Sequence, residues 1–206
     1  MPLQNRVDPF GELFATPARG LLLGNRGGRF HTDDKTLTRR CWVSRTWICC
    51  LLSFKGRHRD VWGRSYTELF FLDEVTALAA GHRPCFECRR RDAAAFAESW
   101  RRASGLRASP RAADMDDVLH RERLDGRGKR RHRFPIDELP DGVCIALQDG
   151  AYAVRGGALL QWTPAGYAAR KRRPRGRIVD ALTPPSIVAV LAAGYRPQWH
   201  PGAVRA

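Results

Sequence analysis

Cys85-Phe86-Glu87-Cys88 is the segment of this chain whose residue types and spacing best suit chemistry. Two thiolates two residues apart on a tight turn can share one Zn²⁺ at ~2.3 Å each and so supply half of a tetrahedral site. The same spacing serves disulfide exchange when the first thiolate opens a helix in a thioredoxin-like context. Here a helix and the stop His82-Arg83-Pro84 precede the pair in place of a βαβ strand, which favours metal over redox chemistry. Further ligands must come from upstream, where His31, Cys41, Cys49, Cys50 and His58 are available. Neighbours on a strand face opposite ways, so of the adjacent Cys49 and Cys50 one belongs to the core. Cys41 and Cys144 read as packing thiols, since free cysteines are among the most buried residues.

Several elements must position that tetrapeptide. CWVSRTWICCLLSF, within Arg40 to Phe54, is rich in Trp, Val, Ile and Cys and suits a buried strand or hairpin, and Tyr66 to Leu72 reads as a second strand. Asp73 is placed to cap a short helix through Ala80, with Gly81 in the left-handed C′ conformation and Pro84 as a stop. After Cys88, a second helix puts Ala93, Phe96, Ala97 and Trp100 on one face. LAAGHRPC at 78–85 is echoed by LAAGYRPQ at 191–198, which reads as two helix ends built alike rather than as a repeat.

Arg101 to Arg133 holds eleven basic and five acidic residues, so 104–140 reads as a basic connector with a short helix within Asp116 to Leu124 and a solvated GRGKRRHR loop. Beyond LPDG, the runs VCIALQ, AYAVRG and ALLQW are separated by Asp149-Gly150 and Gly156-Gly157, the chemistry of hairpin turns. A sheet of three or four strands and a helix opened by Pro184 and Pro185 follow. The expected fold class is α+β. A zinc-stabilised lobe of strands and two helices would occupy 1–103, and a small lobe with an antiparallel sheet and one helix 141–206.

The formal charge of +15 over 206 residues favours a polyanionic partner, DNA or RNA. The longest apolar run, Trp47 to Leu52, is too short to span a bilayer, and the N-terminus lacks a basic start followed by an apolar region. No membrane association, a cytoplasmic location and no small-molecule cofactor are therefore expected. Such a compartment keeps thiols reduced, which speaks against a disulfide framework for the six cysteines.

YTELFFLDEVTALAAGHRPCFECRR, with GNRGGRFH upstream, resembles the Ada-type zinc-binding domain over about residues 23–92. In that family a Cys or His, a Cys four residues later, a strand, a helix with an Ala-Ala-Gly-aromatic-Arg-Pro turn and a closing CxxC follow in order. The resemblance implies Zn²⁺ held by His31, Cys85, Cys88 and a fourth donor. Lys35 stands where the family has its second ligand, so the fourth is assigned to Cys50, with Cys49 or Cys41 as substitutes. Family members that repair DNA methylphosphotriesters use a cysteine as methyl acceptor, and His31 offers no thiolate for that role. Over most of its length the chain is also similar to uncharacterised bacterial proteins sharing DPFG, GNRGG, FKGR and LPDG, a likeness that supplies no activity.

Arg83, Arg89, Arg90 and Arg91 would offset the charge of the zinc site or contact phosphates, and Arg170, Lys171, Arg172 and Arg173 form a second basic run. Trp162 and Tyr167 beside that run would either stack bases or pack a sheet edge. The expected function is a zinc-binding protein that contacts DNA or RNA, the metal being structural. Whether it is an enzyme is left open. A metal-dependent nuclease or repair enzyme would use His120, Glu122, Lys129 and His132 with Asp116 and Asp117. A zinc-stabilised protein-interaction module is the third reading.

Overall fold

The computed structural model describes residues 1–57 and 60–205, with no side-chain description at 204 and 205. His58, one of the upstream donors, lies outside the described residues. In chain order the elements are β1 (Arg6–Val7), β2 (Leu13–Phe14), β3 (Leu22–Asn25), β4 (Ile48–Leu51), β5 (Leu69–Phe71), α1 (Glu74–Ala79), β6 (Arg83–Pro84), α2 (Arg90–Ala103) and α3 (Ala112–Arg123). They continue as β7 (Leu124–Asp125), β8 (Gly128–Lys129), β9 (His132–Pro135), β10 (Cys144–Leu147), β11 (Gly150–Arg155), β12 (Ala158–Thr163), β13 (Gly166–Arg172), β14 (Ile178–Ala181), α4 (Pro185–Ala192) and α5 (Gly202–Arg205). The class is α+β. No helix among the described residues is long and apolar enough to cross a membrane.

Two sheets organise the chain. The first is mixed, in the order β2-β1-β5-β3-β4-β6, with β4 and β6 parallel. The second is antiparallel, in the order β13-β12-β11-β10-β14-β9. It has six strands where three or four were expected, because β9 from the connector and the basic stretch of β13 both join it. The turn Gly156-Gly157 falls where its chemistry predicts, whereas the β10–β11 turn is Gln148-Asp149, one residue earlier than expected.

Both faces of the second sheet are covered. On β11, Tyr152 and Val154 pack with Phe96 and Trp100 of α2, Met115 and Leu119 of α3 and Leu191 of α4. Ala151 and Ala153 face the other way, onto Leu72, Val75 and Ala79 around α1. A strand buried on both faces reads as a continuous apolar run, as AYAV does. The core therefore crosses positions 103 and 140 without a gap, and α1, which precedes the CxxC, packs Val75 and Ala79 with the second sheet and Ala77 with the first. The short helix expected within Asp116 to Leu124 is a twelve-residue helix, α3, starting earlier, at Ala112, with Met115 and Leu119 buried.

Helix α1 begins as its sequence suggests, with the Asp73 carboxylate accepting from the Thr76 N–H at 2.9 Å. It ends on Gly81, whose φ of +88° is the left-handed conformation that glycine adopts without penalty. The echo at Leu191–Gln198 ends α4 identically, with Gly194 at +104°. In both copies the next residue, His82 or Tyr195, donates its N–H five residues back, to Ala77 or Val190. They are two helix ends of one design.

Candidate metal centre

Strand β4 sits between β3 and β6, and its alternation separates the two adjacent cysteines. Cys49 joins the core of the first sheet beside Leu22 and Phe71, while Cys50 joins Leu23 and Cys85. Parallel pairing of β4 with β6 then brings the CxxC alongside: the Cys85 N–H donates to the Cys49 carbonyl at 3.0 Å. The turn closes with the Arg89 N–H on the Cys85 carbonyl at 3.0 Å, and α2 starts there.

The sulfurs of Cys50, Cys85 and Cys88 consequently lie within 4.8 Å of one another. Three thiolates on one tetrahedral zinc stand ~3.8 Å apart, given Zn–S bonds of ~2.3 Å. Backbone N–H groups already point at two of them, from Glu87 to Cys85 Sγ and from Leu51 to Cys88 Sγ, each at 3.4 Å. The hydrogen bond from Cys50, helped by the N–H groups of Cys88 and Glu87, holds the Cys85 thiol down at about 5. Cys88 is lowered first by the same Cys50 donor, and Cys50 is pushed up correspondingly. Two of the three are thus predisposed to be thiolates, the form a metal requires. Leu23, Ile48 and Phe70 wall the cluster with apolar surface.

His31 stands apart from these sulfurs. It stacks on Trp62, with ring centroids 5.2 Å apart, and both nitrogens are engaged, Nδ1 with Thr67 Oγ1 at 2.7 Å and Nε2 with the Gly63 carbonyl at 2.9 Å. Phe30-His31 is held there by an isolated bridge from His31 to Leu37 and by the Phe30 N–H on Thr67 Oγ1. The ligand role expected of His31 is therefore corrected: its lone pair and proton are spent on a structural cross-link. Of the substitutes, Cys49 accepts from Arg89 Nη1 at 2.9 Å and its thiol is pushed up by burial, and Cys41 lines a separate cavity. Among the described His, Cys, Asp and Glu residues, only the three sulfurs form a cluster with metal-ligand spacing.

The basic residues divide in two. Arg83 and Arg89 are buried and bound to carboxylates, Arg83 to Asp116 and Arg89 to Glu74 and Asp92, so neither guanidinium faces a phosphate at the surface. Arg90 and Arg91 are exposed at the start of α2. Arg170, Lys171 and Arg172 lie exposed on β13, an edge strand and not the loop expected, and Lys171 pairs with Asp149 at 2.6 Å. Arg173 turns inward and donates to the carbonyls of Ile136 and Leu139. Trp162 and Tyr167 point into the protein, donating to Thr76 and Asp73.

Three of the connector residues weighed for catalysis, Glu122, His132 and Asp116, are likewise occupied. The Glu122 carboxylate accepts from the N–H and hydroxyl of Ser186 at the start of α4, His132 Nε2 bonds the Glu122 carbonyl, and Asp116 is consumed by Arg83.

Compared with family models, curated proteins and solved structures, the chain finds no match in any of the three.

Proposed function

We propose that this is a zinc-binding protein in which Cys50, Cys85 and Cys88 hold a structural ion and exposed arginines contact DNA or RNA. The observation that carries the metal reading is the convergence of three sulfurs from two chain segments, two of them already accepting backbone N–H bonds. A thiolate-rich donor set suits zinc, and a structural site takes a fourth donor to complete its tetrahedron. The order of strand, helix, Arg-Pro turn and CxxC, which resembles the Ada-type domain, supports the same reading, with Cys50 as the strand ligand. Methyl acceptance is not part of it. The polyanion reading rests on the +15 charge and on the exposure of Arg90, Arg91, Arg170, Lys171 and Arg172.

Metal analysis of the purified chain tests the first half, with one zinc per chain expected. Substitution by Co²⁺ should give sulfur-to-metal charge-transfer bands that Cys88→Ser weakens and Cys49→Ser leaves in place. A protein free of metal as purified, and unchanged by added Zn²⁺, would overturn the reading. Fluorescence anisotropy with labelled DNA and RNA tests the second half. Affinity should fall steeply with salt, and Arg90→Ser with Arg91→Ser should reduce the log–log slope by up to about 2. No binding at low salt would remove nucleic acid from the proposal.

A further inference from the structure

Arg26 and Arg123 are the two most deeply buried cations without a carboxylate. Each is at most 2 % exposed, and among the described residues neither forms an ion pair. The other two deeply buried arginines are paired, Arg83 with Asp116 and Arg89 with Glu74 and Asp92. Both unpaired guanidiniums lie over the ring of Trp47, at 4.1 and 3.9 Å from its centroid. Arg26 donates to the carbonyls of Gly11 and Cys41, and Arg123 to those of Gly81 and Arg45. The Arg123 stem runs against Gly81, where a Cβ would come within 2.7 Å of it, so the close seat of this side chain requires glycine. Carbonyls and an aromatic face satisfy donors and soften the desolvation, but they supply no counter-charge. Arg123 Nε has no partner at all among the described residues.

These two side chains and Lys129 line one cavity of about 180 Å³. Arg40 and Arg127 complete a wall of five basic residues, against Glu12 as its one acid. Asp116, which attracts Arg123 electrostatically, is already claimed by Arg83, and although Glu12 and Asp8 attract Arg26, and Asp8 also Lys129, none of the three cations forms an ion pair among the described residues. His82, fully buried beside Arg26, is held well below its ordinary value by desolvation and then by Arg26, so it stays neutral and adds no charge. The cavity is smaller than the ~300–1,000 Å³ of drug-sized sites. It shares Arg40, Cys41, Trp42 and Arg127 with an outer recess of about 560 Å³.

We propose that this cavity is a binding site for a phosphate group, carried by a phosphomonoester whose organic body lies in the outer recess against Trp42. Guanidinium forks suit phosphate oxygens, and a doubly charged ligand supplies the charge that the protein leaves uncompensated. The site is assembled from the loop before β2, the end of β3, the segment around Cys41, the end of α3 and the β7–β8 hairpin. It uses none of the clustered sulfurs and stands independently of the zinc reading.

Titration calorimetry on the full chain, with the fluorescence of Trp42 and Trp47 as a second readout, tests the site. The probes are inorganic phosphate, a nucleoside 5′-monophosphate, and one short oligonucleotide with either a 5′-phosphate or a 5′-hydroxyl. Saturable binding of phosphate and monophosphate is expected, weakened at least about tenfold by Lys129→Met. Arg40→Ala and Arg127→Ala change exposed rim residues and should weaken the monophosphate while leaving the circular dichroism spectrum unchanged. A mononucleotide bound as well as the phosphorylated oligonucleotide assigns the site to small phosphomonoesters. Preference for the 5′-phosphorylated oligonucleotide over both its 5′-hydroxyl form and the mononucleotide assigns it to nucleic-acid ends. No heat and no fluorescence change at millimolar phosphate and monophosphate would overturn the proposal, as would undiminished binding in both rim variants.

Discussion

Arg83 and Asp116 form a two-pronged ion pair, Nε to Oδ1 and Nη2 to Oδ2 at 2.8 Å each, with side chains only 5 % and 4 % exposed. The pair joins β6, two residues before the cysteine cluster, to α3, so the basic connector is fastened to the first sheet through it. Removing one partner of a buried pair strands the other charge, which costs more than the intact pair contributes.

Asp116→Ala should therefore destabilise the protein by about 3–5 kcal/mol in urea unfolding, whereas Arg83→Met with Asp116→Leu should come close to the wild type. A loss below about 1 kcal/mol in the single variant would show that water reaches Arg83.

Glu74 plays the matching part for the C-terminal segment. It pairs with Arg89 at 2.8 Å, accepts the Tyr195 hydroxyl at 2.6 Å and takes the Gln198 N–H at 2.8 Å. Tyr195→Phe removes one bond to a charged acceptor and leaves the ring in place, so a loss of about 1.5–3 kcal/mol is expected by denaturant titration. A neutral result would show that the carboxylate finds another donor.

The local structure was legible in the sequence where a single segment determines it. Asp73, Gly81 and the helical face of Phe96 and Trp100 all behave as their types and spacing imply, and so does the division of Cys49 from Cys50. What eluded sequence reasoning depends on distant partners. Nothing near Arg83 or Arg89 reveals that Asp116 and Glu74 wait for them, so both read as charges for the zinc site or for phosphates. His31 matched a ligand position, but Thr67 and Gly63 claim its nitrogens. The Arg26–Arg123–Lys129 cavity draws on residues a hundred positions apart and has no motif at all.

Lys129 supplies a pH test. Desolvation first, and then Arg26 and Arg123, pull its ammonium down to about 7, with Cys144 and Asp8 opposing. Between that value and the ordinary 10.5, the unfolded chain holds a proton that the folded chain releases. Stability should thus rise with pH, by up to about 1.4 kcal/mol per unit for one proton. Above about pH 9 ionising thiols reverse the trend, because burial raises Cys49 and Cys144 in the folded state. The clean window is pH 7–9, measured as the difference between wild type and Lys129→Met in phosphate-free buffer. Parallel curves for the two proteins would place the ammonium in solvent.

Metal removal should act on the whole molecule. Helix α2 starts at the residue after Arg89, directly beyond the cysteine turn, and its Phe96 and Trp100 share one core with Tyr152, Leu191 and Tyr195. In the proposed zinc form, losing the ion would release the sulfurs of the Cys85–Cys88 turn from Cys50 of β4, leaving only the backbone pairing of β4 with β6, and the loss of alignment would pass along α2 into the second sheet. A chelator should therefore lower a single calorimetric transition, by roughly 10 °C if the ion contributes a few kcal/mol at this chain length. Two separated transitions, with only the earlier one shifted, would show instead that the first sheet melts alone and that the shared core is too weak to couple the sheets.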